Sequence, residues 1–252
     1  MIRGLYTLGG GMLASEQHAE VVADNISNLR TTGFKETFSS SMAFPTLPIQ
    51  RNELSPAGIP QATAIGNLST GVMVDRVTKI DQQGSLQETN EPTDVALDGP
   101  GLFVVQTLNG ERYTRGGQFR LEDGRLLTQE GYAVLGTDGP IQLNGNDFQI
   151  NDSGLVIEDG DWENAQQLRF AVIPADSLQR EGNSLYTSEN VVTEMPAGTA
   201  QVRQGFLESS NVDLAGQMVR MIKIMRVYEA NQRLIQTEDA TLDKAVNEIG
   251  KV

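Results

Sequence analysis

Two apolar seams with helical spacing lie at opposite ends of the 252-residue chain, and they constrain the fold more than any other feature. In the N-terminal segment, alternating steps of three and four residues place the seam on one face of a helix. The positions of this N-terminal seam are Leu5, Leu8, Met12, Ala19, Val22, Ile26 and Leu29, with Ser15 completing the series. The sequence therefore predicts a helix with one continuous apolar face within residues 1–36.

Glycines mark the middle and the end of this predicted helix. Each of the consecutive residues Gly9, Gly10 and Gly11 costs about 1 kcal/mol of helix stability relative to alanine. The helix therefore depends on packing, and the glycines favour close approach of another helix. Gly33 suits the left-handed backbone that ends a helix, and Phe34 follows where an apolar contact closes such an end.

The C-terminal segment repeats the helical spacing more strongly. The positions of this C-terminal seam are Leu214, Met218, Met221, Met225, Tyr228, Ile235, Leu242, Val246 and Ile249, with Gln232 and Asp239 as its polar breaks. Ser210 with Asp213 fits a capping box, and Asn211 is an alternative N-cap. A helix of this length would extend about 50 Å, which is too long for one small globular body to cover.

Between the seams the apolar period changes to two, and turn dipeptides recur at short intervals. They are Asn109-Gly110, Asp123-Gly124, Asp138-Gly139, Asn144-Gly145 and Asp159-Gly160. We expect residues 70–204 to form a β-rich domain of barrel or sandwich type. Residues 37–69 are rich in Ser, Pro, Thr and Asn and lack a period, which predicts an extended linker.

The distribution of charge separates the middle of the chain from its ends. The chain has 33 acidic and 19 basic residues and a formal charge of −14, which disfavours nucleic acid as a partner. Both terminal segments, 1–36 and 205–252, are nearly neutral, so they can pack together or against other copies without long-range repulsion. We therefore expect an α+β fold in which the terminal helices pair as a coiled-coil stalk and the β-rich domain is inserted between them.

Candidate chemistry is sparse in this sequence. It has no cysteine and one histidine, His18, whose neighbours Glu16 and Glu20 do not share its helix face. Asp94 and Asp98 would share a strand face, but a solvated strand end leading into a turn explains them better than acid–base catalysis. No stretch approaches the roughly 20 apolar residues that span a bilayer. We expect no catalytic site, no cofactor, no metal site and no membrane insertion.

Four motifs resemble those of bacterial flagellar rod and hook proteins, and together they cover nearly the whole chain. The N-terminal motif contains Asn25, Asn28, Gly33, Phe34 and Lys35, and it departs from the family pattern at Asp24 and Ser27. The second motif runs from Gly84 through Gly99-Pro100-Gly101-Leu102-Phe103, and the third is Tyr113-Thr114-Arg115 with Gly117 and Phe119. The C-terminal motif runs from Gly205-Phe206-Leu207-Glu208 through Asn211 to Asn231.

The resemblance implies a structural subunit of the flagellar basal body that is exported, polymerises helically and transmits torque. It implies that the partners are other copies and other rod or hook subunits, contacted through the terminal helices, and the flagellar export apparatus. The length of the chain suits a rod protein with one β body, in either the distal or the adjoining proximal segment. The seam residues would then form the assembly interface.

Two other functional classes remain open at this point. One is a secreted β-domain binding module that oligomerises through terminal coiled coils, for which an aromatic-lined groove on the β body would be evidence. The other is a hydrolase, which would need a pair of carboxylates with shifted pKa values in a cleft.

Overall fold

A computed structural model describes residues 2–54, 60–145, 147–158, 160–174, 177–182, 184–188, 193–194 and 200–249. The chain divides into two compact units. The first consists of Met1–Asp24, Thr37–Val77 and Leu214–Val252, and the second of Asn25–Glu36 and Thr78–Asp213. Each unit is therefore assembled from segments that are distant in sequence.

The first unit is built mainly from two helices and four strands. Its elements are α1 (Ile2–Ser27), β1 (Thr37–Ala43), β2 (Leu47–Leu54), β3 (Pro60–Leu68), β4 (Val72–Lys79) and α2 (Leu214–Lys244), with a π-helical turn at Ala245–Ile249. Strand β1 pairs with β4, and β2 pairs with β3 as an antiparallel hairpin in the register Leu47 to Leu68. The 31 residues of α2 extend about 46 Å.

The segment predicted as a linker, residues 37–69, thus contains three of these strands. Leu47, Ile49 and Ile65 are 58%, 40% and 62% exposed. Because the hairpin has so little buried apolar surface, its sequence lacks the alternation by which strands are recognised. Backbone pairing between β2 and β3 defines this hairpin, which the composition of the segment alone does not predict.

The second unit is β-rich. Its strands are β5 (Leu86–Glu88), β6 (Val95–Asp98), β7 (Leu102–Thr107), β8 (Gly110–Thr114), β9 (Phe119–Glu122), β10 (Arg125–Thr128), β11 (Ala133–Gly136), β12 (Gly139–Pro140), β13 (Phe148–Ile150), β14 (Leu155–Glu158), β15 (Asp161–Gln167), β16 (Phe170–Val172), β17 (Leu178–Arg180), β18 (Leu185–Ser188), β19 (Thr193–Glu194), β20 (Gln201–Gln204) and β21 (Phe206–Glu208). The main sheet has the order β17-β18-β8-β7-β11-β10-β9, and its described pairs are antiparallel.

The remaining strands of this unit form smaller sheets or flank the main one. Strand β12 pairs with β11, and β16 pairs with both β7 and β19. Strands β13, β14 and β15 form a separate sheet in that order, β20 pairs with β6, and β21 pairs with β5. The last two pairs bring the end of the β-rich segment back to its beginning.

Strand β7 is buried on both faces. Phe103 and Val105 pack in one hydrophobic cluster, and Leu102 and Val104 pack in another, as alternation along a strand requires. The Phe103 ring meets the Phe119 ring edge-on, with centroids 5.1 Å apart. The core of the unit is therefore centred on this strand.

The turn dipeptide Asp123-Gly124 closes the β9–β10 hairpin, as predicted. Asp123 has φ 49° and Gly124 has φ 72°, the left-handed backbone that a tight hairpin turn requires. Gly33 has φ 68°, which confirms the left-handed position predicted after the first helix. The helix itself ends earlier than predicted, at Ser27.

A β-rich domain with a helix at each end of the chain confirms the coarse α+β prediction. In the residues that the structure describes, neither helix combines the length and the apolar character needed to cross a membrane.

Candidate functional site

A buried carboxylate, Glu208, joins two buried cations in the second unit. Its Oε1 accepts hydrogen bonds from Lys35 Nζ at 2.8 Å and from the backbone N–H of Gly84 at 2.9 Å. Its Oε2 accepts one from Arg115 Nε at 2.5 Å. The side chains of Glu208, Lys35 and Arg115 are only 1%, 10% and 3% exposed. We call these three residues the ion cluster.

Arg115 also fixes the predicted turn after β6. Its Nη2 donates to the carbonyl oxygens of Leu97 at 2.8 Å and of Gly99 at 2.7 Å, and its Nη1 donates to that of Gly101. A guanidinium presents several N–H donors in a fixed plane, so one side chain can hold a whole turn. Arg115 therefore couples this turn to Glu208.

Asn211 has a different role from the helix cap that the sequence suggested. Its Nδ2 donates to the carbonyl oxygens of Ile80 at 3.0 Å and Gln82 at 2.8 Å. Its Oδ1 accepts from the backbone N–H of Glu36 at 2.6 Å. Helix α2 begins at Leu214, three residues later. Asn211 thus ties the segment ahead of the helix to two other backbone segments, at Glu36 and at Ile80–Gln82.

The residues after α1 are packed against the same region of the second unit. The Gly33 N–H donates to the backbone carbonyl of Glu208 at 2.8 Å. Phe34 is 1% exposed, and the guanidinium carbon of Arg180 lies 5.0 Å from its ring centroid. Asn28 accepts a hydrogen bond from Arg180 Nη2 at 3.3 Å, and Asn25 is fully buried. The N-terminal motif therefore anchors the chain after α1 within the second unit.

In the first unit, glycines of α1 face polar residues of α2. A Cβ placed on Gly11 would lie 2.9 Å from Asn231 Nδ2, and one placed on Gly4 would lie 3.1 Å from Glu238 Oε1. The residue numbers rise along α1 while they fall along α2, so the two helices run in opposite directions. At Gly11 a larger residue would require the Asn231 side chain to shift. Of the glycine run, only Gly11 lies against α2, since a Cβ on Gly9 would meet no atom within 4 Å and one on Gly10 would lie near Val72 and Phe44.

The face of α2 that is least exposed includes polar positions that the apolar seam did not contain. We call it the inner stripe: Gln217, Met221, Ile224, Asn231, Ile235, Glu238 and Leu242 are buried or half-buried. Gln217 is 2% exposed. Of the predicted C-terminal seam, Met221, Ile235 and Leu242 lie in this stripe, and Tyr228 lies at its edge with 36% exposure.

The other described members of that seam are exposed. Leu214, Met218 and Met225, together with Ile222, follow one another three or four positions apart, and we call them the outer stripe. Their exposures are 37%, 54%, 53% and 53% in the order Leu214, Met218, Ile222 and Met225. Val246 is 69% exposed, and the side chain of Ile249 lies outside the described residues. The outer stripe is thus a row of four exposed apolar side chains, the kind of surface that commonly marks an interaction site.

The N-terminal seam is buried or half-buried throughout. Val22 is 5% exposed, while Leu5, Leu8, Met12, Ala19, Ile26 and Leu29 are of intermediate exposure. Ser15, the polar member of the series, donates its hydroxyl to the Gly11 carbonyl oxygen at 2.7 Å. This bond satisfies the hydroxyl at a buried helix position.

A groove of about 760 Å³ opens beside the glycines of α1. Tyr6, Leu13 and Phe44 contribute to its lining, and Glu16 is its acidic member. A Cβ on Gly9 would meet no atom within 4 Å. Tyr6 and Leu13 are 75% and 65% exposed. We call this feature the glycine groove.

The residues weighed as catalytic or metal-binding candidates have structural contacts. His18 Nδ1 and Nε2 lie 2.5 Å and 2.6 Å from the hydroxyls of Ser39 and Ser41. Burial raises the pKa of Asp94, while a hydrogen bond from Thr89 opposes the shift. Asp98 pairs with Arg203 at 3.0 Å. Among the described residues, no three His, Asp or Glu side chains are placed to hold a metal ion.

Three family models match successive segments of the chain. Residues 5–35 match "Flagella basal body rod protein", residues 96–158 match "Flagellar hook protein FlgE/F/G D1 domain", and residues 203–248 match "Flagellar basal body rod FlgEFG protein C-terminal". The ion cluster takes one residue from each segment. Sequence reasoning had placed all three residues in motifs without assigning them a role, because an isolated charge in a motif gives no sign of its partner.

Curated relatives match over their full length. The chain is 36% identical to the flagellar hook-basal body complex protein FlhO of Bacillus subtilis, with all of both chains covered. It is 32% identical to the flagellar basal-body rod protein FlgG of Borreliella burgdorferi, with 98% of each chain covered. The FlgG protein of Bacillus subtilis is 31% identical, with 98% of this chain and 99% of the relative covered.

Proposed function

The chain belongs to the flagellar basal-body rod protein family, and from this premise we propose how its two helices build a rod. It is a structural subunit of the bacterial flagellar basal-body rod and is located in the flagellum basal body. Its assembly partners are rod or hook subunits.

We propose that α1 and α2 pair as an antiparallel coiled coil and that the outer stripe joins one subunit to the next. The single observation that supports this proposal is that the side chains of Met218, Ile222 and Met225 are each about half exposed in the single chain. Moving such a side chain from half-exposed to buried contributes about 1 kcal/mol. A contact of this kind that repeats head to tail generates an open helical polymer.

The polymer would act as a drive shaft. Transmission of torque needs contacts that repeat along the axis and a rigid subunit, and it needs no catalytic group. The ion cluster supports the rigidity of the second unit, because buried charged hydrogen bonds hold three distant segments in one geometry. The β-rich residues 70–204 would form the solvated body and the terminal segments 1–36 and 205–252 the assembly domain, with 37–69 as an extended arm.

Export through the flagellar export apparatus is part of the same proposal. It rests on the resemblance of the motifs rather than on a contact in the structure. We assign no enzymatic role to the chain, since Asp98 is engaged in an ion pair and His18 is bonded to two serine hydroxyls.

Substitution of Met225 and of Met221 by aspartate tests the assembly proposal. Met225→Asp should prevent rod assembly without unfolding the monomer, because Met225 is exposed in the single chain and a buried carboxylate in the polymer would be costly. Met221→Asp should prevent assembly and also weaken the first unit, because Met221 lies in the inner stripe. Electron microscopy of isolated basal bodies and circular dichroism of the purified chains give the two readouts.

Ala230→Asp is the matched control. Ala230 is exposed on α2 and belongs to neither stripe, so the control reproduces the added charge and the change of helix propensity. Arg220 is unsuitable because its guanidinium carbon lies 5.6 Å from the Phe38 ring centroid. Normal rods in cells carrying Met225→Asp and in cells carrying Met221→Asp would reject assembly through α2.

A further inference from the structure

We propose that the glycine groove receives the outer stripe of a second copy of this chain. This inference rests on the proposed function and specifies which two surfaces meet. The groove has an open floor at Gly9, where a Cβ would meet no atom within 4 Å. Side chains of another helix can therefore enter between the exposed side chains of Tyr6 and Leu13.

The outer stripe has the chemistry that the groove accepts. Met218, Ile222 and Met225 are apolar, and they project from one side of α2 in successive turns. Flexible thioethers adapt to irregular apolar surfaces, and the lining of the groove is mostly apolar. The two surfaces lie on different helices of the same chain, so their contact between copies is heterologous and can repeat.

Charge favours the same pairing. Between residues 5 and 20, α1 carries Glu16 and Glu20 and no lysine or arginine. Between residues 214 and 233, α2 carries four basic residues and one acidic residue. Arg226 follows Ile222 by one helical turn, at the border of the outer stripe, and Glu16 lines the groove. We infer that Glu16 of one copy faces Arg226 of the next.

Cysteine cross-linking tests the contact directly, because the natural chain has no cysteine. Cells lacking the native chain would produce two differently tagged copies, one with Gly9→Cys and the other with Ile222→Cys. Oxidation of isolated basal bodies should yield a disulfide-linked dimer that carries both tags. Val227→Cys replaces Ile222→Cys in the control, since both side chains are 53% exposed but Val227 lies on another side of α2 from the outer stripe.

Filling the groove provides an independent test. Gly9→Ala improves helix propensity and leaves the groove open, so rods should form normally. A Cβ on Gly9 meets no atom within 4 Å, so we expect Gly9→Trp to place its indole in the open groove and to abolish rods while the monomer stays folded, which circular dichroism of the purified chain checks. Glu16→Arg and Arg226→Glu should each weaken assembly about twofold to fivefold per contact, and the double variant should restore it.

The outcomes separate this inference from the broader proposal. If Gly9→Trp assembles normally, or if assembled rods give equal cross-linking with Val227→Cys and Ile222→Cys, the groove is not the receiving surface. If Met225→Asp still abolishes rods in that case, assembly through α2 stands and only the receiving surface is different. Normal rods with Gly9→Trp, Met221→Asp and Met225→Asp would reject both ideas.

Discussion

The carboxylate of Glu208 lies 2.8 Å from the ammonium nitrogen of Lys35, although the two residues are 173 positions apart. The contact joins the segment after α1 to the segment before α2, both within the second unit. Arg115 Nε donates to the other carboxylate oxygen. A buried carboxylate between two buried cations is stable only when its geometry is satisfied on all sides, so each member depends on the others.

Removal of the charge from Glu208 should therefore destabilise the second unit strongly. Glu208→Gln leaves Lys35 and Arg115 buried without a counterion, and the loss should be about 3–5 kcal/mol of unfolding free energy. Urea unfolding of the purified chain, followed on β-strand amides by NMR, measures it.

The exposed pair Arg120–Glu122 is the control for this variant. Its N–O distance is 3.1 Å, but its side chains are 46% and 56% exposed. Glu122→Gln should change the stability by no more than about 0.5 kcal/mol. Equal effects of Glu122→Gln and Glu208→Gln would show that the buried cluster contributes no special stability.

Gly33 can be tested against a second glycine of similar backbone conformation. Gly33 has φ 68° and Gly160 has φ 76°, so alanine is strained at both. A Cβ on Gly33 would also lie 2.4 Å from the carbonyl carbon of Arg115, whereas one on Gly160 would meet no atom within 4 Å. Gly33→Ala should cost about 1–3 kcal/mol more than Gly160→Ala. Thermal unfolding that gives equal losses would contradict the close approach.

The helical seams show how far periodicity predicts which face of a helix is less exposed. Apolar spacing correctly placed Met221, Ile235 and Leu242 on the less exposed face of α2. It could not separate the inner stripe from the neighbouring outer stripe, because both follow steps of three and four residues. A pattern of apolar residues does not identify polar members of the inner stripe such as Gln217. Their burial depends on contacts with other segments, which the sequence alone does not display.

The β-rich unit was predictable where turns carry a local signal. Asp123-Gly124 specified its hairpin because few residues adopt a left-handed backbone without strain. The ion cluster was not predictable in this way. Its members come from three distant segments, and a charged residue in a motif looks the same whether it is solvated or paired. Only the folded backbone identifies Glu208 as the shared partner.

The ammonium group of Lys79 should titrate at an unusually low pH. Burial and the charge of Arg180 lower the pKa of Lys79 from 10.5 to about 8. Its Nζ donates to the carbonyl oxygen of Leu178 at 2.7 Å and lies 4.5 Å from the Tyr186 ring centroid. NMR of the side-chain carbon next to Nζ should give a midpoint near 8, and Arg180→Met should raise it.

The same shift predicts a pH dependence of stability. Between pH 8 and 10.5, the unfolded lysine holds more protons than the folded one, so stability increases with pH in this window. The natural chain should therefore gain stability relative to Lys79→Met as the pH rises from about 8 to about 10. Parallel curves for the two proteins, measured by urea unfolding, would contradict the lowered pKa.

A pair of fragments tests where the β-rich body ends. A fragment of residues 70–205 ends one residue beyond the boundary expected from the sequence, and it lacks β21, which pairs with β5. It also leaves Arg115 without the carboxylate of Glu208. A fragment of residues 70–213 restores both, so its midpoint of urea unfolding should be higher. Circular dichroism measures the two transitions.

Glu208→Gln in the longer fragment separates the two contributions. This variant keeps the backbone pairing of β21 and removes only the ionic contact with Arg115, so its midpoint should lie between those of the two fragments. A midpoint equal to that of residues 70–205 would attribute the whole gain to the carboxylate. If both fragments unfold at the same urea concentration, residues 206–213 contribute nothing to the stability of the body.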